Sequence, residues 1–358
     1  MRVAFVLGTT SGGTGRHVGM LVEGLVRRGH QVVVAGPPSV GHAFRYAATG
    51  ARFTPIPVSD RPHPVNDARA VAAIRRIARG ADVVHAHGLR AGALAGLTGT
   101  RTPLIVTLHN ALTAGGFVGA VHAALERVVA NRAHTVLVVS PDLGERMRAL
   151  GARRVQAAVV PAPVLRPAHR PPAEVRAELD AGQRPILLTI ARLAQQKGLE
   201  TLLDVSAAPL PRSPLFVVAG DGPLRAGLQT RIERERLPVV LLGNRDDIPD
   251  LLAAADAVLW PSRWEGQPLS LSEALAAGRP VIATEVGGIP GLLGGAGVLV
   301  PYGDVGAMRR AVHEVLEEPG EAARLAEAAV RRGAELPRAD DAVEAVVGVY
   351  LSSAGVED

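Results

Sequence analysis

The chain has 358 residues, 47% apolar and 20% charged, with 39 Lys and Arg against 34 Asp and Glu, and no cysteine. That composition is globular, long for one core and comfortable for two. It excludes disulfides, a thiolate nucleophile and any Cys-ligated metal. No run of 18 apolar residues is present to span a membrane. Aromatic residues, at 3%, are too few for base-stacking platforms, so nucleic acid is not an expected partner.

In chain order, the apolar run at 3–7 reads as a first strand, too short for the apolar region of a signal peptide. The expected location is therefore the cytoplasm. Further strands are predicted near 31–35, 83–85, 104–107, 135–139 and 155–160, then near 185–190, 215–219, 239–242, 257–259, 280–283 and 297–300. Helix-like patterns alternate with them, so the fold class is α/β with parallel sheets and crossover helices. Five prolines fall within residues 161–172, a stiff linker. The domain boundary is placed there, giving residues 1–165 and 166–338. The last helical pattern, within 339–358, is expected to cross back onto the first domain.

Residues 261–278 carry the most informative pattern. Glu265 and Glu273 are separated by seven residues, with Gly266, Gln267 and Pro268 after the first. Pro268 suits a first helical position and Gly278 a C-terminal cap. Glu265 is thus expected on a loop at the C-terminal end of a strand, and Glu273 in the second turn of the next helix. At about 1.5 Å per residue, Pro268 to Glu273 spans roughly 7–8 Å. Free amides at the helix start, those of Leu269 and Ser270, favour an anion. A carboxylate on either side of a bound diphosphate would hold hydroxyl groups, which outlines a nucleotide sugar.

Among the 39 basic residues only Lys197 is a lysine. It follows Arg192 by five residues, on the loop leaving the predicted strand at 185–190. An ammonium and a forked guanidinium make complementary phosphate contacts. The glycine loop Gly12-Gly13-Thr14-Gly15 does not fit the dinucleotide fingerprint, because Val18 stands where the third glycine belongs. No acidic residue closes the next strand to bind a ribose, so NAD is not expected. These glycines suit either backbone approach to a sugar diphosphate or a tight strand-to-helix turn. Ser140 before Pro141 reads as an N-cap, and Asp246-Asp247 as a helix start rather than a metal-binding pair. His30, His63, His122, His134, His169 and His313 read as surface or turn residues. His85 and His87 are expected to follow a strand and support the floor of a site.

Together these segments resemble the retaining glycosyltransferases of family 4, which have the GT-B fold. The carrying residues are Gly12-Gly13-Thr14-Gly15-Arg16-His17, Asp82-Val83-Val84-His85-Ala86-His87-Gly88, Thr107-Leu108-His109-Asn110, Arg192 with Lys197, Gly220-Asp221-Gly222-Pro223, Glu265 with Glu273, and Gly287-Gly288-Ile289-Pro290. The chain departs from the family at Pro161-Ala162-Pro163-Val164 and at Gln267-Pro268, where the family usually has Pro-Asn-Gly-Val and Phe-Gly. The second departure touches the donor-sugar pocket.

The resemblance implies two Rossmann-like domains facing across a cleft, and transfer from a nucleotide-diphosphate sugar, expected to be a UDP-sugar, to a hydroxyl acceptor. It also implies hexosyltransferase activity with neither cofactor nor metal, since Arg192 and Lys197 neutralise the leaving diphosphate. Glu265 would hold sugar hydroxyls and Glu273 the ribose. Gly220 and Asp221 would line the donor site, and the Gly243-Asn244-Arg245 segment would meet the base. His109 would orient the sugar or the acceptor hydroxyl. Two alternatives stay open: an inverting transferase of the lipid-linked cell-wall type, whose glycine loop is similar, and a catalytically silent nucleotide-sugar binder.

Charge divides unevenly. Residues 1–166 hold 20 arginines and 7 acidic residues, leaving the first half strongly basic and the second acidic. A basic face that includes Arg69, Arg75, Arg76 and Arg79 could meet an anionic acceptor or the inner membrane face, or be a solvated surface.

Overall fold

The computed structural model describes residues 1–10, 12–59, 62–111 and 116–355. The chain divides into two compact units, one made of Met1–Pro161 with Pro337–Asp358, the other of Ala162–Leu336. The expected borders, 165/166 and 338/339, fall a few residues late. Ala162 and Leu165 pack against the core of the second unit, so the proline linker after Pro161 belongs there.

The first unit holds a sheet of seven strands: β1 (Arg2–Leu7), β2 (Gln31–Gly36), β3 (Arg52–Pro55), β4 (Val83–His87), β5 (Leu104–Leu108), β6 (Thr135–Val138) and β7 (Val155–Ala157). Their order is β3-β2-β1-β4-β5-β6-β7, and every neighbouring pair is parallel. Central strands such as β1 and β5 are near-continuous Val, Leu, Ile and Ala because helices cover both faces of a parallel sheet.

β3 is missing from the twelve strands expected. Its Arg-Phe-Thr-Pro sequence has one large apolar residue, and Pro55 is tolerable only because the strand is an edge. β4 runs two residues longer than expected, so His85 and His87 lie within it rather than after it. All five of its residues are buried.

The closing helix, Ala339–Ala354, belongs to the first unit and packs on the opening helix, Gly13–Arg27. A Cβ placed on Gly24 would lie 2.4 Å from Val343 Cγ2, so the glycine lets the two helices meet closely. This is the crossing-back expected of 339–358, of which residues 356–358 lie outside the described residues.

The second unit holds β8 (Ile186–Ile190), β9 (Leu215–Ala219), β10 (Val239–Gly243), β11 (Ala257–Trp260), β12 (Val281–Thr284) and β13 (Val298–Val300), all parallel, in the order β10-β9-β8-β11-β12-β13. Side chains alternate between its two cores, Leu188, Val217 and Trp260 entering one and Leu187, Phe216 and Leu259 the other. Each sheet is thus Rossmann-like, with its strand order reversing at one point, between β1 and β4 and between β8 and β11. Ligand crevices of doubly wound folds lie at the carboxyl ends of the strands beside such a reversal.

Candidate functional site

In the second unit the loops leaving β8 and β11 flank the reversal, and they carry the residues singled out in the sequence. Lys197 ends a short 3-10 turn, Gln195–Lys197, after β8. Its Nζ donates to Glu265 Oε1 at 2.6 Å, and Ser262 Oγ donates to the same oxygen at 2.7 Å. Glu265 is only 4% exposed. A buried carboxylate needs such partners, because removing a charge from water without them is costly. Two further bonds tie the loops: Gln196 Nε2 donates to the Trp264 carbonyl at 2.9 Å, and Arg263 N to the Gln196 carbonyl at 2.8 Å.

The glycines around this pair are required by close backbone approach. A Cβ on Gly287, whose φ is +55°, would sit 1.9 Å from the Glu265 carbonyl oxygen, which accepts from Gly288 N at 3.0 Å. A Cβ on Gly220, at φ +143°, would sit 2.0 Å from the Ala191 carbonyl oxygen. The segment containing Gly220 and Asp221 is therefore pressed onto the loop leaving β8, where Leu193 N donates to the Asp221 carbonyl at 3.0 Å.

The Arg192 side chain is exposed and makes no hydrogen bond or ion pair among the described residues, while its carbonyl accepts from Ala194 N at 2.8 Å. Pro268 is the N-cap of the helix Leu269–Ala276 rather than its first residue, because its ψ of 115° is extended. The amides of Leu269 and Ser270 precede the first helical bond, which runs from Leu271 N to the Pro268 carbonyl at 3.0 Å. Ser270 Oγ reaches the Ile190 carbonyl at 3.4 Å, which holds this helix start beside the end of β8. Glu273 lies in the second turn, half-buried and engaged in a contact of its own.

Gly243 ends β10, and Gly220 N donates to its carbonyl at 2.7 Å. Asn244 is exposed. The Arg245 side chain, assigned with its neighbours to the base, is committed elsewhere. It makes paired bonds of 2.7 and 2.6 Å to Asp247, plus 2.8 Å to Glu178, which hold its pKa above the usual range. Asp247 occupies the N-cap position of the helix Ile248–Ala254 without a side-chain capping bond, consistent with the helix start read from Asp246-Asp247.

In the first unit, Gly12 caps the opening helix at φ +66°, with Gly13 and Thr14 in its first turn. The backbone there is open, nothing standing within 4 Å of where a Gly12 Cβ would be. One turn on, His17 joins three other histidines. His85 and His87 project from the same face of β4 and their rings lie 4.2 Å apart. His87 also meets His109 edge to edge in a near-parallel arrangement, ring centroids 5.2 Å apart, with His87 Nδ1 and His109 Nε2 2.9 Å apart. His85 is bonded at both ring nitrogens, to Tyr350 Oη and to Thr107 Oγ1, each at 2.7 Å. His17 meets both His87 and His109 edge-on at 6.0 and 5.8 Å.

Burial pushes these imidazoles towards the neutral form, and at His85, His87 and His109 repulsion within the cluster adds to the effect. His17 falls to about 4 and His109 to about 3, while His85 and His87 lie well below the usual range. All four are uncharged at neutral pH. Among the described residues no group of three or more His, Asp or Glu is arranged to hold a metal ion, this cluster included.

Two family models match the chain: "Glycosyl transferase 4-like domain" over residues 12–163, and "Glycosyl transferases group 1" over residues 184–318. The chain belongs to the group 1 glycosyl transferases. Among curated relatives of this group 1 chain, an alpha-D-kanosaminyltransferase of Streptomyces kanamyceticus is 31% identical over 50% of the chain and 48% of its own length. A 2-deoxystreptamine N-acetyl-D-glucosaminyltransferase of Streptomyces fradiae is 31% identical over 70% of the chain and 66% of its own length. The chain thus spans about half to two thirds of these relatives. The crystal structure of Anabaena HepE in complex with UDP superposes with a TM-score of 0.82 at 20% identity, covering 98% of this chain and 100% of that one. At that identity the likeness shows the fold, which is GT-B.

Sequence reasoning named Lys197 and Glu265 but not their contact, quoted His17 without giving it a role, and passed over Ser262 and Tyr350. Ser262 stands three residues before Glu265, a spacing that could have marked it as a partner within one loop. His17 closes the quoted segment that opens with Gly12, whereas nothing in the local sequence marks Tyr350.

Proposed function

We propose that the chain is a retaining glycosyltransferase that moves a sugar from a nucleotide-diphosphate sugar, expected to be a UDP-sugar, to a hydroxyl acceptor. One observation carries this reading: the Lys197–Glu265 pair at the strand-order reversal of the second unit, beside the open amides of Leu269 and Ser270. Negative charge develops on the diphosphate oxygens as the glycosidic bond breaks. Arg192, Lys197 and the two amides would stabilise it, a kind of preorganised electrostatics that needs no metal. With donor bound, Lys197 Nζ would be shared between phosphate and Glu265. The carboxylate, already oriented by Ser262, would then accept from sugar hydroxyls. Glu273 would take the ribose, and the backbone of Gly243 and Asn244 the base, since Arg245 is held by two carboxylates. That HepE, of the same fold, has been crystallised with UDP supports the donor class. His109, neutral, would hydrogen-bond the transferred sugar or the acceptor hydroxyl.

The test is donor turnover by the full chain across a panel of nucleotide sugars, with and without EDTA, reading nucleoside-diphosphate release and product anomeric configuration. The proposal expects at least one UDP-sugar to turn over, EDTA to change nothing, and retention of configuration. Inversion, or dependence on Mg²⁺ or Mn²⁺, would overturn the mechanism. No turnover or binding of any donor would overturn the function.

A further inference from the structure

The histidine cluster holds more order than support for a site would require. His87 is 3% exposed and its Nε2 is buried without a hydrogen-bond partner. Its other nitrogen, Nδ1, faces His109 Nε2 at 2.9 Å. Each ring is neutral, so each carries one proton, and only one of the two facing nitrogens can be the donor. Two arrangements are possible. If His109 donated, the His87 proton would sit on Nε2, leaving a buried N–H with no acceptor. If His87 donates, its Nε2 is a bare lone pair instead. Orphaned buried N–H groups are the rarer of the two in folded proteins.

We infer that His87 is a positioning residue: it donates from Nδ1 to His109 Nε2 and so fixes His109 as the Nδ1–H tautomer. The His109 nitrogen left for a ligand is then a hydrogen-bond donor and never a proton acceptor. Nδ1 of His109 has no partner among the described residues, and the side chain is partly exposed. It can therefore donate to an oxygen of the sugar or acceptor but cannot deprotonate it, which assigns the base of the reaction to another group, the leaving phosphate being the candidate at hand.

His87 is itself held by packing. Its ring lies between His85 and His109, and it stacks on Phe5 at 5.6 Å. His85 is fixed in turn by Tyr350 and Thr107. The tautomer of a side chain on the loop after β5 is thus set through β4, with the closing helix buttressing that strand. The meaning for catalysis rests on the glycosyltransferase reading, but the tautomer does not.

The experiment uses the full chain labelled with ¹⁵N-histidine, and long-range ¹⁵N–¹H correlation at neutral pH to read which His109 nitrogen is protonated. The H109Q spectrum assigns the signals. The expected result is a protonated-type Nδ1 and an unprotonated-type Nε2. In H87L the lock is absent and the Nε2–H form should appear, with transfer reduced about tenfold or more. In H87N the side-chain amide replaces the donor near the Nδ1 position, and it should restore both the Nδ1–H signal and most of the lost rate. A wild-type His109 protonated at Nε2, or one whose tautomer is unchanged in H87L, would overturn the inference. Because the spectrum needs no substrate, it stands or falls separately from the assigned activity.

Discussion

Replacing Lys197 with methionine keeps most of the stem and removes the only lysine charge in the chain. Two losses follow, and the structure separates them. The first is to stability: Glu265, 4% exposed, would keep Ser262 but lose the ammonium 2.6 Å away. Stranding one partner of a buried pair typically costs about 3–5 kcal/mol. Lys197 is itself 20% exposed, so water can reach the vacated position and the lower end or less is expected. The second is to catalysis: loss of a preorganised group facing the developing charge lowers kcat by about 10²–10³, or roughly 2.7–4 kcal/mol.

A double-mutant cycle with E265Q distinguishes the two. If Lys197 only neutralises Glu265, K197M should cost little in the E265Q background, because no buried charge is left unpaired. If it meets the diphosphate, the kcat loss persists in both backgrounds while the stability loss shrinks in E265Q. Nucleoside-diphosphate release at saturating donor gives kcat, and urea denaturation gives stability. A K197M enzyme within a few-fold of wild type, or a kcat loss that vanishes with E265Q, would refute the assigned role.

Stability should fall on mild acidification: with His17 at about 4 and His109 at about 3 in the folded state, the unfolded chain takes up protons near 6.5 that the folded chain refuses. The stabilisation is complete above about pH 6.5 and is lost as pH drops towards 4, at up to about 1.4 kcal/mol per pH unit for each of the two groups; H17Q should flatten the urea-midpoint profile between pH 7 and 5, and an unchanged profile would refute the burial argument. Gly287→Ala should destabilise by more than about 1 kcal/mol and raise KM for donor, because its Cβ would meet the Glu265 carbonyl at 1.9 Å, whereas Gly348→Ala, on an open face of the closing helix, should be neutral or stabilising by up to about 1 kcal/mol. Arg69, Arg75, Arg76 and Arg79 are all exposed along the helix Pro64–Ala78 and its cap, within one arc, so the full chain should sediment with anionic vesicles in low salt and release as salt rises. Equal binding to neutral vesicles, or none, would leave these arginines as a solvated face.

The strands were legible because a parallel strand buried on both faces must be an apolar run of five or six residues, and such runs punctuate this chain. β3 was not, since an edge strand needs no such run and this one has only Phe53. Glu265 and Lys197 were legible as members of local patterns. Their mutual bond was not, because it joins residues 68 apart through the neighbouring strands β8 and β11. The histidine cluster lay further from reach. Its contacts pair His85 with Tyr350 across 265 residues, and what fixes them is the topology of the unit rather than the residues flanking either one.

The first unit is also discontinuous along the chain, its last helix arriving after the whole of the second unit. On the ribosome, residues 1–161 emerge early yet lack the helix whose Val343 meets Gly24 and which carries Tyr350 to His85. The second unit is one uninterrupted segment and can close its core as soon as residue 336 is clear. Synthesis therefore orders folding: the insert matures first, and the earlier unit completes only when residues 337–355 return to it. A nascent chain stalled short of residue 339 would hold a finished second unit and an unfinished first one, its His85 lacking the Tyr350 hydroxyl.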